Sequence, residues 1–209
     1  ARGGAGLIIT GATGVAWPSG GVIPNQMAIS EDRFIPGIAA LADRVHAHGA
    51  KLALQLHHGG ANAVEDMAAA RPMWVPSIPA RPSGDVSAML LPEELAVAAG
   101  RIRSIAFKVL DSEDIRTLVE QFALAAQRAQ RAGVDGLEIH GGHGYLLAAF
   151  LSPHKNKRND EYGGPLENRA RLLQQVVRAV RAAVGPDLAV WCKLDAREEG
   201  LAGGITLED

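Results

Sequence analysis

The sequence predicts an α/β chain built from parallel strand–helix units. Three observations carry that expectation. Four short strand-like runs are apolar throughout, as strands covered on both faces are. An amphipathic helical pattern lies between each successive pair of runs. Each run also finishes on a residue able to hydrogen-bond: Thr10, Gln55, His140 and Lys193.

The first strand is expected over Gly6 to Thr10 (GLIIT). Ile38, Leu41, Ala42 and Val45 then recur at helical spacing until Gly49. Lys51 to Gln55 (KLALQ) reads as the second strand. Gly59 to Val109 fits no unit: it carries Pro72, Pro76, Pro79, Pro82 and Pro92 and reads as a long excursion holding a small hairpin or short helix. Long loops in compact domains are commonly lids or binding loops. From Asp111 to Ala132 the apolar set Ile115, Leu118, Val119, Phe122, Ala126 and Ala129 makes one helical face, with Asp111, Ser112, Glu113 and Asp114 at its favourable N-terminal end and Gly133 as its stop. Gly136 to His140 (GLEIH) is the third strand. Leu172, Leu173, Val176, Val177, Val180 and Val184 form a helical face closed by Gly185 and Pro186, and Leu188 to Leu194 (LAVWCKL) is the fourth strand.

Composition narrows the class. The 209 residues are 47% hydrophobic and 21% charged, enough for one domain with a substantial core. A formal net charge of -2 gives no electrostatic case for a nucleic-acid or membrane partner. No apolar run is long enough to span a bilayer, and the opening ARGGAGLIIT lacks the order of a signal peptide. Cys192 is the only cysteine, so no internal disulfide forms, and a reducing cytoplasm is the expected location.

The chemistry concentrates in His140 to Arg169, HGGHGYLLAAFLSPHKNKRNDEYGGPLENR. A strand that feeds His140, His143 and Tyr145 into a glycine-rich turn aims three proton-bearing groups at one small volume. Such a site can hold a carbonyl oxygen and deliver a proton. In a closed (β/α)8 barrel all strand C-termini face one rim, so four polar strand ends would converge there. Blander readings stand beside this one. Strand ends are near solvent, His-x-x-His is also a metal-ligand spacing, and Tyr145 could be a packing residue with a bonded hydroxyl. His57 and His58 are adjacent and, in a strand, would point to opposite sides, so at most one lines the site.

LIITGATGV, KLALQLHHGG, the block from Gly133 to Gly185 and VWCKLDA resemble, in that order, the Old Yellow Enzyme family of FMN-dependent ene-reductases. The resemblance spans nearly the whole chain and is weakest over Gly59 to Val109; Asn156 to Arg169 carries most of its specificity. It implies part of a TIM (β/α)8 barrel, about strands two to five with their helices, over residues 1–209. The first strand and the last strands would lie outside it, and the isolated piece would be inactive.

By that resemblance His140 and His143 hold the substrate carbonyl oxygen and Tyr145 protonates the α-carbon. Ala12 (through its backbone N–H), Gln55 and Lys193 bind the flavin. Lys193 stands where the family usually has arginine, a substitution resembling the members that also carry a 4Fe-4S cluster; any such cluster would sit outside this chain. Gly11, Ala61, Ala148 and Ala149 also depart from the common pattern. NAD(P)H is the implied reductant and a small molecule the implied substrate, with no metal site, and a homo-oligomer is compatible with the resemblance. The alternatives are a metal-dependent barrel lyase or hydrolase and a non-catalytic flavin-binding relative. The metal reading would use His140, His143 and one of His57 or His58, and would need an acidic ligand at another strand end; Asp195 is a candidate, whereas Glu138 lies within its strand.

Overall fold

A computed structural model describes residues 1–79, 105–201 and 203–209. Its main sheet holds four parallel strands in the order β1 (Leu7–Gly14), β2 (Lys51–His57), β5 (Gly136–Gly141) and β6 (Ala189–Leu194). Helices α1 (Ile35–His46), α3 (Ser112–Arg131) and α6 (Arg171–Val184) cover one face, with the short α5 (Leu166–Arg169) leading into α6. Parallel neighbours need crossovers, and these helices supply them. Together the units form part of a (β/α)8 barrel, with β2 and β5 buried along nearly their whole length and β1 and β6 at the edges.

Side-chain alternation sorts the two faces. Leu52, Leu54, Leu56, Leu137 and Ile139 enter the core with Ile38, Ala42 and Val45 of α1, Leu118 and Phe122 of α3, and Leu172, Val176 and Val180 of α6. Each fully buried leucine, isoleucine or phenylalanine there contributes about 1.5–3 kcal/mol. The N-terminus of α3 carries a capping box: the Asp111 carboxylate accepts the Asp114 N–H at 2.9 Å, and the Asp114 carboxylate accepts the Asp111 N–H at 3.1 Å. The expected helix stop is present too, since Gly133 has φ +79. Among the described residues no helix is long and apolar enough to cross a membrane.

Two expectations need correction. β1 does not end at Thr10; it runs on to Gly14 through an irregularity between Ile9 and Ala12. The Thr10 hydroxyl accepts the Gln55 N–H at 3.2 Å, so a side chain replaces a carbonyl in the ladder and the strand continues. β2 likewise runs past Gln55, to His57. In the excursion the described strands β3 (Met73–Val75) and β4 (Phe107–Val109) pair in parallel. A short helix, α2 (Val64–Ala68), does precede them. The expectations for Pro82 and Pro92 lie outside the described residues.

Candidate active site

Strand register builds the inner face in rows. Ala12, Gln55, Glu138 and Trp191 are successive register partners across the four strands. One step nearer the C-terminal rim, Gly14 pairs with His57 and His140 with Lys193. Since β2 ends at His57 rather than Gln55, His57 is the residue that stands level with His140. Its place follows from alternation: two residues beyond Gln55 points the same way. The second strand, read from its apolar run alone, stops two residues short of it.

The sequence singled out His140, His143 and Tyr145, and the structure brings them together with His57 as a fourth ring. His57 meets Tyr145 edge-on at 4.4 Å between centroids; His140 lies 5.0 Å from both His143 and Tyr145 and 5.4 Å from His57. His58 turns away, stacks on Trp74 at 4.9 Å and accepts the Gly60 N–H through Nδ1. Only one of the adjacent histidines therefore lines the cluster.

The turn between β5 and the short helix α4 (Leu146–Leu151) sets these rings. His140 Nδ1 accepts the Gly142 N–H at 3.2 Å, which makes Nδ1 the unprotonated nitrogen and leaves Nε2–H as a donor. Burial, then the nearby His143 and Lys193, push the His140 ring down to about 4, against the pull of Glu138 and Asp195. It is therefore a neutral donor at pH 7. His143 sits in the left-handed region at φ +57, and the Asp195 carboxylate accepts its backbone N–H at 2.7 Å. Tyr145 heads α4, and the next residue, Leu146, donates its N–H to the His58 carbonyl, tying this turn to the end of β2. The tie demands Gly60: at φ +60, a Cβ there would lie 3.0 Å from the Leu146 backbone.

His57 is wholly buried, and neither ring nitrogen has a hydrogen-bond partner among the described residues. Burial, with His140 and His58 beside it, pushes this ring down to about 3. Such a group is costly unless something polar meets it, and it faces the same space as His140 and Tyr145. Below this row the Gln55 amide donates to Glu138 Oε1 at 2.6 Å, and the Trp191 indole donates to Glu138 Oε2 at 2.7 Å. Lys193 is half-buried beside His140, and Ala12 is the register partner of Gln55. Among the described residues no set of three His, Cys, Asp or Glu is placed to hold a metal ion. Asp195, weighed in sequence as an acidic metal ligand, accepts the His143 backbone N–H, and Glu138, within its strand, accepts N–H groups from Gln55 and Trp191.

The polar block after the cluster is a brace for the rim. Buried Asn156 donates to the Phe150 and Tyr162 carbonyls, both at 2.7 Å. Arg158 donates to the Pro76 and Leu110 carbonyls, joining the excursion to this loop. Arg169 donates to the Leu151 and Gly164 carbonyls, and Ser152 to Glu198 at 2.5 Å.

The sequence matches the NADH:flavin oxidoreductase / NADH oxidase family over residues 1–208. The chain belongs to that family. It is 38% identical over 209 residues to an NADPH dehydrogenase of Halalkalibacterium halodurans, covering all of this chain and 54% of that protein. It is 34% identical over 210 residues to an NADH oxidase of Thermoanaerobacter brockii, of which it covers 29%. The crystal structure of Old Yellow Enzyme from Pichia sp. AKU4542 superposes with a TM-score of 0.73 at 34% identity, over 90% of this chain and 46% of that one. The chain thus spans between about a third and a half of the length of these relatives. For this flavin oxidoreductase family member, the ring cluster lies where a barrel presents its chemistry, at the C-terminal ends of the strands.

Proposed function

We propose that this chain carries the substrate-binding and proton-donating side of an FMN-dependent NAD(P)H oxidoreductase that reduces an activated C=C bond. The observation that supports it most is the convergence of His57, His140, His143 and Tyr145, with His140 held neutral and its Nε2–H free to donate. Family membership and the NADPH dehydrogenase and NADH oxidase relatives agree with it.

The donor set fits the flavin. Gln55 on β2 offers amide acceptor and donor, and Lys193 on β6 a cation, from the inner face on either side of β5. Ala12, the register partner of Gln55 on β1, has a backbone N–H to offer. FMN, when bound, supplies the hydride to the substrate's β-carbon, having drawn it from NAD(P)H. The His140 Nε2–H, with His143, holds the oxygen of an α,β-unsaturated carbonyl and stabilises the negative charge that grows on it. The Tyr145 hydroxyl gives its proton to the α-carbon and regains one from solvent. A phenol is a weak acid, so it serves only a carbon made strongly basic, which an enolate is.

Leu7 and Ile9, on the inner side of β1, are 49% and 41% exposed and suit packing by further barrel strands. Barrels of this kind bind phosphate on the loops after strands 7 and 8, so residues 1–209 alone would hold FMN poorly. A longer form with a 4Fe-4S cluster outside this chain draws its support from Lys193 in place of arginine.

The test is the visible spectrum of the full-length protein under nitrogen, before and after NADPH or NADH. A flavin spectrum that bleaches supports the redox reading, and a brown shoulder adds the cluster. In Tyr145→Phe, flavin reduction should stay near wild type while re-oxidation by an enone slows about 100- to 10,000-fold. Equal loss in both half-reactions overturns the proton-donor role.

A further inference from the structure

The buried carboxylate of Glu138 has no part in the chemistry above, yet it is 8% exposed and sits in the middle of the inner face. Its two oxygens are taken by its register partners on both sides: Oε1 by the Gln55 amide on β2 and Oε2 by the Trp191 indole on β6. The indole edge in turn lies so close to Gly136 that a Cβ there would be 2.7 Å from Trp191, so the ring is held in place. An indole N–H only donates, so Glu138 Oε2 accepts from Trp191, and Glu138 Oε1 accepts from the Gln55 NH2. The chemistry of this row therefore leaves one arrangement. The Gln55 NH2 must face Glu138, and its carbonyl oxygen must face away.

We propose that Glu138 is a positioning residue that fixes which end of the Gln55 amide, acceptor or donor, is presented to the flavin. The inference rests on the flavin reading given above. Trp191 completes the device, because it dictates what any replacement at position 138 can do. An amide at position 138 must turn its oxygen toward the indole and its NH2 toward Gln55. Gln55 then has to invert and offer its oxygen, and the order of acceptor and donor on its free side reverses. The hydrogen-bond row stays intact while its outward face changes.

Glu138→Gln in the full-length protein separates these roles. Fluorescence quenching of free FMN on titration reads affinity, and urea unfolding reads stability. Glu138→Gln should unfold near the wild-type midpoint but bind FMN about tenfold more weakly. In a Gln55→Leu background the same substitution should cost nothing more, since its effect runs through the Gln55 amide. Adding Trp191→Phe to Glu138→Gln frees the amide to rotate, lets Gln55 turn back, and should restore most of the lost affinity. This double variant also tests the idea where the single one folds poorly. Unchanged FMN affinity in Glu138→Gln, or an equal loss with and without Gln55, overturns the positioning role alone. A wild-type protein that takes up no FMN sinks the flavin reading, and this assignment with it.

Discussion

Acid should destabilise this fold well before its carboxylates titrate, and two buried imidazoles set the size of the effect. His57 is wholly buried and His58 is 3% exposed. Burial pushes their rings down to about 3 and about 4, with Asp66 opposing the shift at His58. In the unfolded chain both rings titrate near about 6.5. The native values lie below the unfolded ones, so in acid the unfolded chain binds more protons. The contribution is fully present above about pH 6.5 and drains away as pH falls toward about 4 for His58 and about 3 for His57.

Between pH 7 and pH 5 each ring favours the unfolded chain by about 2 kcal/mol, so the pair costs about 4 kcal/mol. His140 acts in the same direction. The lowered carboxylates Asp135 and Asp160 begin to lose their share only as pH falls into the ordinary carboxylate range. Urea unfolding of the full-length protein at both pH values reads the difference. His58→Phe keeps an aromatic ring against Trp74 and removes one titration. Its own packing cost cancels when the variant is compared with itself across pH, and its loss between pH 7 and 5 should be smaller than wild type's by about 2 kcal/mol. Equal losses in the two proteins would refute the claim that His58 is held neutral by burial.

Two further outcomes follow from the rim. Asn156→Ala leaves the Phe150 and Tyr162 carbonyls without their donor and should cost about 2–4 kcal/mol in urea unfolding; a loss under about 0.5 kcal/mol, the range of ordinary surface changes, would mean the brace is dispensable. Asp195→Ala releases the His143 backbone from its left-handed turn. It should lower kcat/KM for an enone about tenfold with flavin reduction by NAD(P)H little changed, whereas Asp195→Asn, which still offers an oxygen, should retain most activity.

The sequence by itself determined the parallel strand–helix order, because continuous apolar runs and 3.6-residue periodicity are local signals. It also singled out His140, His143 and Tyr145, which lie within six residues on one strand and its turn. Three things were decided only by tertiary structure. Thr10 left the strand-end set because its hydroxyl meets the Gln55 N–H, a contact between residues 45 apart in sequence. His57 joined the cluster, and His58 left it, because β2 keeps alternating for two residues past its apolar run. Asp195 changed from a candidate metal ligand into a hydrogen-bond anchor, and Glu138 gained the same role, because their partners, His143, Gln55 and Trp191, arrive from other strands or turns. Periodicity assigns a side chain to a face. Only the register between strands decides which side chains share a row, and a polar group's role depends on the neighbour that row gives it.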